Sequence, residues 1–69
     1  MNQIEQEMKT TDNELIEYYF MGWELSERND KFPDWFEFYV EKRACLEGYN
    51  DNSLGILKSK EEILKELKK

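Results

Sequence analysis

The chain has 69 residues, of which 39% are hydrophobic and 38% are charged, and its formal net charge is −6. This length allows one domain with a small core, because ordering each residue costs about 1.5 kcal/mol and such domains end near zero net stability. The acidic balance argues against nucleic acid as a partner, since that binding depends on Lys and Arg neutralising phosphates.

The composition also argues against catalysis. The chain has no histidine, which is the commonest general base and metal ligand. Its single cysteine, Cys45, therefore has no imidazole to activate it, and its three glycines are scattered rather than gathered in a phosphate-binding loop. We expect no enzyme activity, no cofactor and no metal, and we expect Cys45 to be a small buried side chain in a reducing compartment.

The N-terminal residues MNQIEQEMKT lack the basic flank and continuous apolar run of a signal peptide. Nowhere does an apolar run approach the ~20 residues that a membrane-spanning helix needs. The sequence thus predicts a soluble cytoplasmic protein with no membrane partner. Residues 1–10 are polar apart from Ile4 and Met8 and are expected to be a flexible segment.

The first predicted helix begins at Thr11 or Asp12 and ends by Arg28. Thr11 is followed three residues later by Glu14, which fits a capping box. The apolar side chains of this helix cover more than half of its circumference, a wider arc than a solvent-facing helix usually shows; they are Leu15, Ile16, Tyr18, Tyr19, Phe20, Trp23 and Leu25. The helix is therefore expected to need a packing partner.

A second predicted helix runs from Pro33 to Gly48. Pro33 suits the first helical position and Gly48 suits a C-terminal cap. The stretch WFEFYV within it would also fit a half-buried strand. We favour a helix because Asp34, Glu37 and Glu41 line one helical face and the segment is longer than a normal strand. A short connection would make the two helices antiparallel neighbours.

Residues 50–58 are predicted to be a linker, and residues 59–69 a short basic amphipathic helix. Ser59 and Glu62 form a second capping-box pattern, and the apolar stripe is narrow, consisting of Ile63, Leu64 and Leu67. The predicted fold is all-α: an antiparallel two-helix hairpin over residues 11–49 with an additional short C-terminal helix. That helix could pack across the hairpin or become ordered only on a partner.

The aromatic residues exceed what the interface of such a hairpin requires. Five are expected to fill the space between the helices: Tyr19, Phe20, Trp23, Phe36 and Tyr39. Three others are expected to cluster at the hairpin turn: Phe32, Trp35 and Phe38. Apolar residues gathered at one exposed place are candidates for a protein-binding patch.

The pattern T-D-x-E-L-I-E-x-Y-F-x-G-x-E-L from Thr11 to Leu25, followed by a turn and D-W-F-E-F-Y, resembles the Sda family of small checkpoint inhibitors of sporulation histidine kinases. The resemblance covers roughly residues 11–46. It implies an antiparallel helical hairpin that binds the dimerisation and phosphotransfer helices of a sensor histidine kinase. Such binding would block autophosphorylation and onward phosphoryl transfer without any catalysis by the inhibitor.

On this hypothesis the partner-binding residues lie around the turn of the hairpin. The apolar anchors are predicted to be Leu25, Phe32, Trp35 and Phe36. Glu24 and Asp34 are predicted to orient the complex against basic groups of the kinase.

Two alternatives stay open. The carboxylates of the first helix and of the following segment could make an acidic, phage-type decoy that mimics nucleic acid and occupies a basic groove on a host protein. Binding by such a decoy would weaken steeply with salt, since exposed charges are screened. The chain could also form a homo-oligomer, with Gly22 and Ser26 at a close helix crossing.

Overall fold

A computed structural model describes residues 10–68, and no residue in that range belongs to a β-strand. Helix α1 spans Asp12–Glu27, α2 spans Tyr39–Ser53 and α3 spans Lys60–Leu67. The all-α class is therefore confirmed, as is the close packing of the first two helices together with a short third one. The prediction for residues 1–10 falls almost entirely outside the described range.

Helix α1 begins with the predicted capping box. The Thr11 hydroxyl accepts from the Glu14 N–H at 3.2 Å, and the Glu14 carboxylate accepts from the Thr11 N–H at 3.2 Å. The helix ends where Asn29 adopts a positive φ of 59°. The N–H of Asp30 then reaches back to the carbonyl of Leu25 at 2.8 Å, which closes the last turn in the way that left-handed C-terminal caps do.

The predicted bounds of the second helix are wrong at both ends. Helix α2 begins at Tyr39 rather than Pro33, with Phe38 as an extended N-cap residue (φ −116°, ψ 143°). Residues 35–38 of the stretch WFEFYV precede the helix, and they belong to no strand. The segment after Gly48, predicted to be a loop, continues α2 as far as Ser53.

Gly48 was predicted to cap the C-terminus of α2, but Gly55 has that role. Gly55 takes the left-handed conformation, at φ 73°, and its N–H donates to the Asn52 carbonyl at 3.0 Å. Gly48 instead lies buried inside α2 against α1. A Cβ atom on Gly48 would lie 1.8 Å from the Tyr19 carbonyl oxygen, and a Cβ atom on Gly22 would lie 1.8 Å from the Cys45 carbonyl oxygen.

The two helices therefore meet backbone to backbone at this glycine pair. The predicted close approach at Gly22 is confirmed, but it occurs within the chain. Ser26, which was predicted to share that crossing, is half-buried one turn further along α1.

Helices α1 and α2 run in the same direction, so the predicted antiparallel orientation is wrong. Tyr18, in the first half of α1, donates its hydroxyl to Glu41 in the first turn of α2 at 3.1 Å. Near their ends, the Asn52 amide donates to Glu27 at 2.7 Å. Side chains of this length reach each other only if start lies beside start and end beside end.

The length of the connection explains the change of direction. Residues 28–38 separate the two helices, and an extended chain covers about 3.3 Å per residue. The 16 residues of α1 span about 24 Å. The connection is thus long enough to return along α1 before α2 begins.

Helix α3 runs antiparallel to both longer helices. Its capping box is confirmed, since Ser59 accepts from the Glu62 N–H at 3.3 Å. At its end, the Arg43 guanidinium of α2 donates to the carbonyls of Glu66 and Leu67 at 3.0 Å each, and Lys68 pairs with Asp12 at 2.8 Å. The C-terminal helix therefore packs on the other two.

The hydrophobic core lies where the three helices meet. It consists of Leu15, Ile16, Tyr19, Ala44, Ile63 and Leu67, with Tyr18, Phe20, Trp23, Val40 and Leu64 packed against it. Cys45 is fully buried, as predicted. Within residues 10–68, none of the helices combines the length and the apolar character needed to cross a bilayer.

Candidate functional site

Five aromatic side chains form a continuous cluster along the connection between α1 and α2; we call Tyr18, Phe32, Trp35, Phe36 and Tyr49 the aromatic cluster. Phe36 is its centre. The Phe36 ring lies 4.5 Å from the Trp35 ring, 5.8 Å from that of Tyr18 and 5.9 Å from that of Phe32, measured between centroids. Phe32 meets Tyr49 edge to face at 5.5 Å. Edge-to-face and offset pairs of this kind are favourable beyond the apolar area that they bury.

The connection is held to the helices at both of its ends. At its start, the Tyr49 hydroxyl donates to the Asp30 carbonyl at 2.9 Å. At its end, the Glu41 carboxylate accepts from the Phe38 N–H at 3.4 Å and from the Tyr18 hydroxyl at 3.1 Å. Trp35 lies between these attachments with 61% of its surface exposed. A large apolar side chain is thus presented to solvent on an anchored segment.

Acidic residues neighbour Trp35 and Phe36 along the connection, and the basic residues Lys31 and Lys42 lie just outside this stretch. Asp34 and Glu37 are exposed on either side of Trp35 and Phe36, and no Lys or Arg occurs between Phe32 and Glu41. Burial raises the pKa of Tyr18, and so do its hydrogen bond to Glu41 and the charges of Glu41, Glu14 and Glu17. Glu14 and Glu17 of α1 therefore lie close enough to Tyr18 to affect its pKa.

The structure brings only some of the predicted partner-binding residues together. Phe32, Trp35 and Phe36 belong to the aromatic cluster, and Asp34 is exposed beside them. Glu24 and Leu25 lie on the last turns of α1, before the connection begins; Glu24 is exposed and Leu25 is half-buried. Because the connection folds back along α1, these two residues are not at the tip of a hairpin turn.

Two predictions about aromatic residues need correction. Tyr39, expected in the core, is 64% exposed, because it opens α2 instead of lying in its middle. Tyr18 and Tyr49 were missed as members of the cluster. Tyr18 was recognised as part of the apolar arc of the first helix, but only the path of the connection shows which aromatic residues it and Tyr49 contact.

A partly buried polar network, also missed by the sequence analysis, joins α1, α2 and the loop between α2 and α3. The Tyr19 hydroxyl donates to Asp51 at 2.6 Å, and Lys58 donates to Asp51 at 2.7 Å and to Glu47 at 2.9 Å. Burial raises the pKa of Tyr19 to about 12, with a further contribution from Asp51. Burial lowers the pKa of Lys58, but its hydrogen bonds to Asp51 and Glu47 outweigh that effect and raise it. Each charged group of the network thus has a partner of opposite charge.

Cys45 is fully buried in α2. Burial raises the pKa of its thiol to about 11, so at neutral pH it is protonated and unreactive. Among residues 10–68, no three His, Cys, Asp or Glu side chains are placed to hold a metal ion.

A second group of exposed apolar residues lies on the loop between α2 and α3. Leu54 is 70% exposed, Leu57 62% and Ile56 44%. The Trp23 indole donates to the Ile56 carbonyl at 3.0 Å, so the loop is attached to α1. These residues are aliphatic and lie on a different loop from the aromatic cluster, so they provide a control surface.

The fold and the site define a small bundle of three helices that presents an acidic aromatic surface. No family model, curated protein or solved structure matches this chain. The interpretation of the site therefore depends on its own geometry.

Proposed function

We propose that this chain is a non-catalytic inhibitor that binds another protein through its aromatic cluster. Its proposed target is the dimerisation and phosphotransfer helices of a sensor histidine kinase, where docking would hold the catalytic domain away from the phosphoacceptor histidine. The kinase is suggested by the resemblance of residues 11–46 to the Sda family. The mechanism is steric, so no residue of this chain needs to act on phosphate.

The observation that carries the proposal is the exposure of Trp35 on an anchored segment. An exposed aromatic side chain that is already ordered loses little conformational entropy when it is buried by a partner. Trp and Tyr are also the residues that most often dominate interface energies. The ring of Trp35 is ordered by Phe36, at 4.5 Å between centroids, and Phe36 is in turn packed on Tyr18 of α1.

The topology does not contribute to this proposal. The resemblance implies an antiparallel hairpin, whereas α1 and α2 of this chain run parallel. What supports the proposal is the composition of the connection and of α1: aromatic anchors beside exposed carboxylates. A surface of this kind fits an apolar, basic patch on a partner.

The test is a kinase autophosphorylation assay with purified chain and a sensor histidine kinase from a spore-forming host. The Trp35→Ala variant should inhibit about 30-fold less well, equivalent to ~2 kcal/mol of binding energy. Leu57→Ala is the matched control, because Leu57 is equally exposed (62% against 61%) but lies on the other loop. Equal inhibition by the two variants would contradict the proposal, and so would an absence of inhibition by the unaltered chain.

The decoy remains a second candidate because of one observation on α1. Glu14, Glu17, Glu24 and Glu27 are all exposed along that helix. A decoy would lose binding steeply as salt rises, because its contacts are screened charges, whereas anchoring by Trp35 would persist. Affinity measured at low and at high ionic strength therefore separates the two candidates.

A further inference from the structure

We propose that the exposed ring of Trp35 receives an arginine side chain of the partner, with the carboxylates of Asp34 and Glu37 flanking the guanidinium. This inference rests on the proposed function, since it takes the aromatic cluster as the docking surface. It goes further by naming the chemistry of the partner residue at its centre.

The Trp35 ring is held by its neighbours and is largely exposed to solvent. The ring rests on Phe36 at 4.5 Å and an interplanar angle of 32°, and yet 61% of the residue stays exposed. Phe36 is held by Phe32 and Tyr18. The indole is therefore positioned by its neighbours while much of its surface is open. Tryptophan is the side chain over which cations bind best.

The charged residues nearest to Trp35 in the sequence are acidic. The charged residues from Phe32 to Glu41 are Asp34, Glu37 and Glu41, and Lys31 and Lys42 lie just outside this stretch. Glu14 and Glu17 of α1 raise the pKa of Tyr18, whose ring packs edge to face on Phe36. A purely apolar partner would leave these carboxylates unpaired at the edge of the interface. A cation both stacks on the ring and pairs with the acids.

Arginine fits this surface better than lysine. Its planar guanidinium stacks on an aromatic face and offers a fork of donors that matches a carboxylate, whereas the ammonium of lysine is a strongly hydrated point charge. An exposed cation–π contact changes affinity by a few-fold. The carboxylates add a salt-dependent contribution.

The experiment uses two helical, alanine-based peptides that differ at one position: arginine in the first and its uncharged isostere citrulline in the second. Binding is followed by NMR through the indole N–H signals of the full chain. The Trp35 signal should move, and the Trp23 signal, whose indole is bonded to the Ile56 carbonyl, should stay. The arginine peptide should bind about three- to fivefold more tightly at low salt.

The Asp34→Asn, Glu37→Gln double variant should reduce that preference, while its circular dichroism stays unchanged because both side chains are exposed. Equal affinity for the two peptides, binding of neither, or shifts centred on Trp23 would each overturn the inference. The proposed function is tested separately. If Trp35→Ala abolishes kinase inhibition while the two peptides bind alike, only the arginine inference fails; if the arginine preference holds without kinase inhibition, only the kinase proposal fails.

Discussion

Two regions of the fold differ in the size of their side chains: the crossing of α1 and α2 at Gly22 and Gly48, and the aromatic cluster. At the crossing, Gly22 and Gly48 remove side chains so that two backbones touch. In the cluster, large rings are added, and the ring of Trp35 remains mostly exposed. The first region has no room for change and determines whether the chain folds. In the second, the exposed ring of Trp35 is expected to tolerate substitution, whereas Phe36 packs on Tyr18 of α1 and is expected to matter for the fold.

Gly48→Ala is expected to destabilise the fold most, because it adds a side chain where the two backbones touch. Its new Cβ would meet the Tyr19 carbonyl oxygen at 1.8 Å, so the helices must separate, and we expect a loss of roughly 3 kcal/mol or more. Alanine's better helix propensity, about 1 kcal/mol, does not offset this. Urea unfolding followed by circular dichroism measures the change.

Gly55→Ala is the control for that variant. Nothing lies within 4 Å of its added Cβ, so only the left-handed φ of 73° is penalised, at about 1–2 kcal/mol. A Gly48→Ala protein that is as stable as the Gly55→Ala protein would show that the helices do not meet at this point.

The next largest effect is an alkaline loss of stability from Tyr19. Its folded-state pKa of about 12 lies above its ordinary value of 10.0. The stabilisation is therefore complete below pH 10 and is lost as the pH rises through 12, because the folded state binds the proton more tightly. We expect a loss of about 2 kcal/mol over this window.

The unfolding free energies of the unaltered chain and of Tyr19→Phe, measured at pH 9 and near pH 12, check this expectation. The phenylalanine variant keeps the ring in the core and removes the titrating group, so it should be less stable at pH 9 but lose less between the two values. The same pH dependence in both proteins would be evidence against the network of Tyr19 with Asp51.

The smallest expected effect concerns Trp35 and the fold. Trp35→Ala should change the free energy of unfolding by no more than about 0.5 kcal/mol, as is usual for exposed positions, even though it should reduce binding strongly. Thermal unfolding checks this, with Phe36→Ala as a contrast, since Phe36 contacts Tyr18 of α1. A large loss of stability in Trp35→Ala would show that Trp35 supports the core, and it would contradict the proposed role in binding.

The residue types of the candidate site could be predicted from the sequence, but their arrangement in space could not. Phe32, Trp35 and Phe36 are close together in the sequence, so their clustering followed from any compact path of the connection. Tyr18 and Tyr49 joined them because that path runs back along α1. The expected roles of Glu24 and Leu25 depended on a hairpin tip that the parallel helices do not form.

The sequence by itself determined the local features of this protein. The capping boxes at Thr11 and Ser59 involve residues three positions apart, and so the local sequence is sufficient to define them. The all-helical class and the burial of Cys45 likewise follow from local composition and periodicity.

Tertiary contacts determine three features of α2: its direction, its first residue and the glycine that ends it. Gly48 was predicted to end the helix, but it faces the backbone of α1, and Gly55 takes the left-handed conformation instead. The network of Tyr19, Asp51 and Lys58 joins residues up to 39 positions apart. Contacts at such separations depend on how the helices pack, because no local preference specifies the partner across the interface.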